Sequence, residues 1–213
     1  MSWLFKTLST SVGKKLIMAT TGLCFCCFLV VHLFGNLTIY GGKGMFISYV
    51  NHLHAFGPLI HVAEVGLLVC ALLHVTTGFT LAYQNYMSRP IKYQVDKRGG
   101  GRTFGSSTMP YTGAILVLFI ISHLIGFHFA DHSTRTVYDI VNQAFRDHII
   151  VSYYVFAMLV AAVHVSHGLW SAFQTLGLNH EKYMPMIEKL GLLFSVAVGA
   201  GFGFIPIWIS YFK

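Results

Sequence analysis

The chain has 213 residues, of which 55% are apolar and only 10% charged. A soluble protein of this length covers its core with charge, and this chain lacks the charge to do so. The formal net charge of +7 does not indicate a nucleic-acid partner, because the basic residues sit in short clusters between long apolar stretches.

Those stretches run over 15–40, 59–86, 110–130, 148–176 and 190–212. A bilayer crossing takes about 20 residues at about 1.5 Å rise each, so all five are long enough to span. The first is too long for a signal-peptide core and no small-residue cleavage site follows it, so the chain is expected to be mature from Met1. The reading is an all-α membrane protein, a bundle of five transmembrane helices forming a single domain over 1–213.

Charge sets the expected orientation. Lys6, Lys14 and Lys15 precede the first span; Arg89, Lys92, Lys97, Arg98 and Arg102 lie between spans two and three; Lys182 and Lys189 lie between four and five. The opposite side keeps only Lys43, Arg135, Arg146 and Lys213. A basic excess marks the cytoplasmic face, which puts the N-terminus in the cytoplasm and the C-terminus on the outer side. The basic loops are also placed to touch anionic lipid or a partner.

Between spans one and two, Met45, Phe46, Tyr49, Val50 and Leu53 recur at helical spacing and predict a short interfacial helix. Val137, Ile140, Val141, Ala144 and Phe145 predict another in the second outer loop. Residues 88–109 show no such period, and the run Gly99-Gly100-Gly101 follows no strand, so this segment reads as an irregular cytoplasmic loop. The cysteines Cys24, Cys26, Cys27 and Cys70 all fall within spans and read as small packing residues, since thiolates are unfavourable in hydrocarbon. The fifth span carries Gly191, Gly199, Gly201 and Gly203, which predict close helix contact.

Twelve histidines remain, and ionisable groups inside a span are costly enough to point to function. His52, His54, His61, His132, His148 and His180 lie in loops or at span ends, and His128 and His167 are near the ends of their helices. That leaves His32, His74, His123 and His164, one on each of the first four spans. His32 and His123 each lie about 8 residues, roughly 12 Å, from the outer ends of their helices. His74 and His164 lie about 16 residues, roughly 24 Å, from theirs. Two histidines at each of two depths match two stacked haems with paired axial imidazoles, an outer one on His32 and His123 and an inner one on His74 and His164. Depth favours His164 over His167, and without a C-x-x-C-H motif the haems are of b type.

The stretch Ser11-Val-Gly-Lys-Lys-Leu-Ile-Met-Ala-Thr-Thr-Gly22 with His32-Leu-Phe-Gly-Asn36 resembles the single-subunit diheme cytochrome b of succinate dehydrogenase and fumarate reductase. His61-Val-Ala-Glu64, Leu73-His74 and Gln84-Asn-Tyr-Met-Ser-Arg-Pro90 extend the likeness, as do Ser122-His123-Leu, His164-Val-Ser-His-Gly-Leu-Trp170 and Phe173-Gln-Thr-Leu-Gly177. The resemblance implies a multi-pass subunit of the cell inner membrane with His32, His74, His123 and His164 as axial ligands. It implies two partners on the cytoplasmic face: a flavoprotein holding FAD and the dicarboxylate site, and an iron-sulfur protein above the basic loop. Electrons would pass between that partner and a membrane quinone, menaquinone or ubiquinone, with no dicarboxylate site in this chain.

Glu64 is the only acidic residue within an apolar span. It either handles quinone protons, with Asn36 and His128 at similar depth, or caps its helix or bonds a neighbour. Thr21, Arg89 and Lys92 are candidate donors to haem carboxylates. Rival readings are the cytochrome b anchor of a hydrogenase or formate dehydrogenase, a transmembrane ferrireductase, and a transporter or proton channel relaying through histidine and Glu64.

Overall fold

A computed structural model describes residues 2–88 and 103–213. The five basic residues from Arg89 to Arg102 and the glycine run between them lie outside the described residues. The described residues form helices and no strand, and five helical stretches are long and apolar enough to cross a membrane.

A short helix the sequence did not announce, α1 (Ser2–Ser9), opens the chain. Thr10 ends it and caps α2 (Ser11–Leu37), its side-chain oxygen accepting from the Gly13 N–H at 3.0 Å. The two helices fold back so closely that a Cβ on Gly13 would lie 2.6 Å from the Leu8 Cα. Only glycine permits that turn.

After α2 the backbone tightens through Thr38–Gly41 and turns at Gly42, whose φ of +87° is open to glycine at little cost. The predicted interfacial helices follow as α3 (Gly42–His54) and α6 (Val137–Ala144), the latter closed by reciprocal bonds between Thr136 and Asp139. Of the remaining spans, α4 (Pro58–Met87) begins on a proline that needs no donor, and α7 (His148–Thr175) is capped by Asp147. The last, α8 (Met184–Phe212), starts six residues earlier than expected.

The third span differs most from expectation. Its helix α5 (Phe104–His123) starts well before Pro110, because Thr103 caps it by accepting from the Ser106 N–H at 3.1 Å. Pro110 therefore lies inside the helix rather than at its start, and 104–109 are helical where an irregular loop was expected. Past His123 the coil widens over Leu124–His128, where the Phe129 N–H reaches the Leu124 carbonyl at 2.8 Å, five residues back. Such a single π turn is uncommon and is enriched at functional sites.

The bundle is held mainly by α7 and α8, with α2 against α4, α7 and α8, and α5 against α7. Two of the four glycines of α8 make the close contact expected: a Cβ on Gly199 would stand 2.8 Å from the Ala162 Cβ, and one on Gly201 would stand 2.9 Å from Leu33, whereas Gly191 and Gly203 have nothing closer than 3.8 and 3.6 Å. One end is closed by a core of Ile39, Phe46, Tyr138, Val141, Phe145, Val151, Ile205 and Ile209, over which α3 and α6 lie. Lys43 on α3 reaches the Asp139 carboxylate on α6 at 2.7 and 2.9 Å. This is the cap end; α1 and the α7–α8 turn mark the other, or loop, end. Along α4, Val62, Val65, Leu68 and Leu72 stand exposed, as lipid-facing side chains do. Leu81 is the only buried residue of α4, which leaves this helix the least held of the five.

Candidate functional site: two pairs of facing histidines

The four histidines singled out by depth meet as two pairs inside the bundle. Towards the cap end, His32 of α2 faces His123 of α5 with ring centroids 6.0 Å apart and planes at 87°. Towards the loop end, His74 of α4 faces His164 of α7 at 6.4 Å and 66°. All four are half-buried. His167 faces no other histidine; its Nδ1 is 3.3 Å from the Thr103 hydroxyl and its ring meets Trp170. The geometry thus selects His164 as the partner of His74.

Aromatic side chains line the cap-side pair. Phe28 stacks on His32 at 5.1 Å, Phe119 stacks on His123 at 5.7 Å, and Phe202 of α8 lies 5.4 Å from His32. The loop-side pair is held by hydroxyls instead. Thr21 Oγ1 stands 3.1 Å from His74 Nδ1, and Thr112 Oγ1 stands 3.0 Å from His164 Nδ1. Each threonine also bonds its own helix: Thr21 Oγ1 lies 2.7 Å from the Ile17 carbonyl, and Thr112 Oγ1 lies 3.0 Å from the Thr108 carbonyl. With its hydroxyl proton on the helix, each threonine oxygen can accept an Nδ1–H from the ring it faces, which would leave Nε2 with a free lone pair. Thr21, read as a candidate donor to a haem carboxylate, meets the Ile17 carbonyl and the His74 ring. Arg89 and Lys92, named with it, lie outside the described residues.

Among the described residues no cluster of three or more histidine, cysteine or acidic side chains is built to hold a metal. Pairs of this kind suit an iron that brings its other four ligands in a macrocycle and takes two axial imidazoles from the protein. With metal–nitrogen bonds of about 2 Å, two imidazoles on opposite faces of one iron hold their ring centres roughly 6 Å apart. Both pairs meet that requirement. Beside the loop-side pair the chain also clears space: a Cβ on Gly22 would stand 3.3 Å from His74 Cε1, and one on Gly113 would stand 3.5 Å from His164 Cε1. The residues fit haem at both levels.

The geometry exposes a repeat in the sequence. Thr21-Gly22, then His32-Leu-Phe-Gly35 on α2, recurs on α5 as Thr112-Gly113, then His123-Leu-Ile-Gly126, with the same eleven-residue step from threonine to histidine. That step puts the two levels about 16 Å apart along the helices. Phe28 and Phe119 occupy the same place in the repeat and stack on equivalent histidines. On α4 and α7, His74-Val-Thr-Thr-Gly78 followed by Ala82 and Gln84 recurs as His164-Val-Ser-His-Gly168 followed by Ala172 and Gln174. Each pair of histidines takes one member from each half. This repeat is the sequence feature that marks Thr112.

Glu64 lies on α4 nearer the cap end, half-exposed, and its carboxylate is 3.1 Å from His61 Nδ1. It bonds a neighbour, as one of its two readings had it. Asn36 turns back to its own helix, donating to the His32 carbonyl at 2.8 Å, and His128 is exposed beside Phe129. Neither makes a hydrogen bond with Glu64 among the described residues. In the repeat Glu64 corresponds to Tyr154, ten residues before the second-half histidine. The Tyr154 hydroxyl lies 3.3 Å from His123 Nδ1. Cys24 and Cys70 pack across α2 and α4 with their sulfurs 3.8 Å apart.

No family model matches the chain, and neither a curated protein nor a solved structure is significantly similar to it.

Proposed function

We propose that the chain is the membrane-anchor and electron-transfer subunit of a succinate:quinone or quinol:fumarate oxidoreductase, carrying two b haems. The observation that carries this reading is the meeting of four span histidines, from four helices, as two stacked pairs at haem-ligating separation. His32 and His123 would hold the outer haem, and His74 and His164 the inner. When bound, haem supplies reversible one-electron storage at each level. The chain supplies the imidazoles, a largely apolar surround that keeps water from the iron, and a step of about 16 Å between levels.

Quinone chemistry exchanges protons as well as electrons. The pair of half-exposed Glu64 and exposed His61 lies nearest the cap end of α4, where a lipid-dissolved quinone has access, and it is assigned the proton exchange. The repeat supports this assignment, because Glu64 replaces a tyrosine at the matching place in the other half. Lys6, Lys14, Lys15, Lys182 and Lys189 in the segments at the loop end support an N-terminus in the cytoplasm and a C-terminus outside the inner membrane. There the loop end would receive an iron-sulfur protein and, through it, a flavoprotein with FAD. The resemblance in the motifs around the histidines supports those partners over the rival cytochromes.

The test is to recover the tagged chain from gently solubilised membranes of cells that make it. Copurification with a covalent flavoprotein and an iron-sulfur protein, with haem reduced on adding succinate, is the expected result. A haem-bearing chain that arrives with a hydrogenase or formate dehydrogenase would overturn the assignment.

A further inference from the structure

We infer that Thr21 and Thr112 are positioning residues for the loop-side ligands, each accepting the Nδ1–H of the imidazole opposite and so leaving Nε2 to the metal. The inference rests on the two-haem reading and gives both threonines a role toward the imidazoles rather than toward the haem carboxylates.

Three observations carry it. First, the protons are accounted for. Each hydroxyl has one proton, and a carbonyl of its own helix stands within reach to take it, Ile17 at 2.7 Å and Thr108 at 3.0 Å. The remaining contact of each oxygen, 3.1 Å to His74 Nδ1 and 3.0 Å to His164 Nδ1, is then an N–H donated by the ring. Second, the arrangement occurs twice, from matching Thr-Gly steps in the two halves, and each threonine sits on the helix next to the histidine it holds. Third, the cap-side pair lacks it. Among the described residues, the hydrogen-bonding group near the His32 ring is the Asn36 amide nitrogen, at 3.4 and 3.5 Å from its two ring nitrogens. The corresponding group at His123 is the Tyr154 hydroxyl, 3.3 Å from Nδ1. The chain thus treats its two levels differently.

A metal-ligating imidazole that donates its other N–H to an acceptor is fixed in tautomer and ring orientation and becomes a more basic ligand. Greater basicity favours ferric over ferrous iron, so the threonines hold the loop-side potential below the value it would have without them. Helix-to-helix adhesion, the ordinary use of a threonine within a bilayer, makes no such demand on the potential.

The test is a redox titration of the purified, haem-loaded chain with electron paramagnetic resonance of the oxidised form, on wild type, Thr21→Val, Thr112→Val, Thr21→Ser and Thr112→Ser. Valine keeps the shape and removes the acceptor; serine restores it. Expected are an upward shift of the loop-side midpoint and an altered loop-side signal in each valine variant, both reversed by serine, with the cap-side haem unmoved. Loss of the loop-side haem in valine and its return in serine also support the inference. Unchanged loop-side potential and signal in both valine variants overturn it, as do a shift or loss that serine fails to reverse and an equal shift at both haems. A well-folded wild type with no haem would instead sink the two-haem reading, which separates the two failures.

Discussion

Replacing Gly199 by alanine tests how α7 and α8 set the frame for the histidines. The added Cβ would stand 2.8 Å from the Ala162 Cβ and 3.2 Å from the Met158 carbonyl oxygen. Neither neighbour can swing aside, because one is fixed to the α7 backbone and the other is part of it. Ordinary carbon contacts lie near 3.5–4.0 Å, so the helices must part locally by roughly 0.5–1 Å, which forfeits about a quarter to a half of each affected contact. Ala157, Val160, Ser195 and Val198 line this seam and are all buried. Overpacking of this kind costs about 1–3 kcal/mol. Alanine gains nothing in return through helix propensity, since a helix released into a bilayer stays helical for want of other hydrogen-bond partners. Gly191→Ala is the matched control: its Cβ would meet nothing closer than 3.8 Å, and its effect should stay within about 0.5 kcal/mol. The assay is reversible unfolding of the two variants in mixed micelles against wild type. Equal stability of Gly199→Ala and Gly191→Ala would refute the close-packed seam.

Gly22→Val should empty the loop-side level alone, because the new side chain fills the space beside His74 Cε1 at 3.3 Å; one haem per chain, held at His32 and His123, is the expected yield. Glu64→Gln should slow quinone turnover on the order of 100-fold while leaving both haems bound, the usual scale for loss of a general acid or base; stopped-flow reduction of haem by quinol reads this directly. Asp139 is held below the usual carboxylate range, first by the hydrogen bond from Lys43 and then by that from Thr136. Because the folded value is depressed, the stability it contributes is fully present above the unfolded value of about 4 and is lost as pH falls through the folded one. The gap in melting temperature between wild type and Asp139→Asn should hold from about pH 7 to 5 and close in acid below about pH 4; a gap that survives acid would contradict the role given to the Lys43 pair.

Much of this architecture was legible because lipid imposes simple rules. Apolar length announced five spans, and the interfacial helices α3 and α6 were readable from the spacing of Phe46 and Val50 and of Ile140 and Val141. Depth alone paired His32 with His123 and His74 with His164, since a helix converts residue number into distance. What escaped was local chemistry. Pro110 looks like a helix start, whereas Thr103 supplies the cap that extends α5 back to Phe104. The fold-back of α1 depends on Gly13 meeting Leu8, a contact no period reveals. The π turn after His123 leaves no mark in composition. Thr112 was hidden because a threonine in a span has an ordinary use, bonding its own helix, and it does that as well. Only the recurrence of Thr-Gly before His32 and His123 marks it out.

The most direct test of the two-level arrangement is haem stoichiometry by the pyridine haemochrome on the purified chain, with His32→Ala, His74→Ala and His167→Ala alongside. The account predicts two b haems in wild type and in His167→Ala, and one in each of the other variants, with different spectral components lost. A well-folded wild type without haem, or loss of the same component from His32→Ala and His74→Ala, would contradict it.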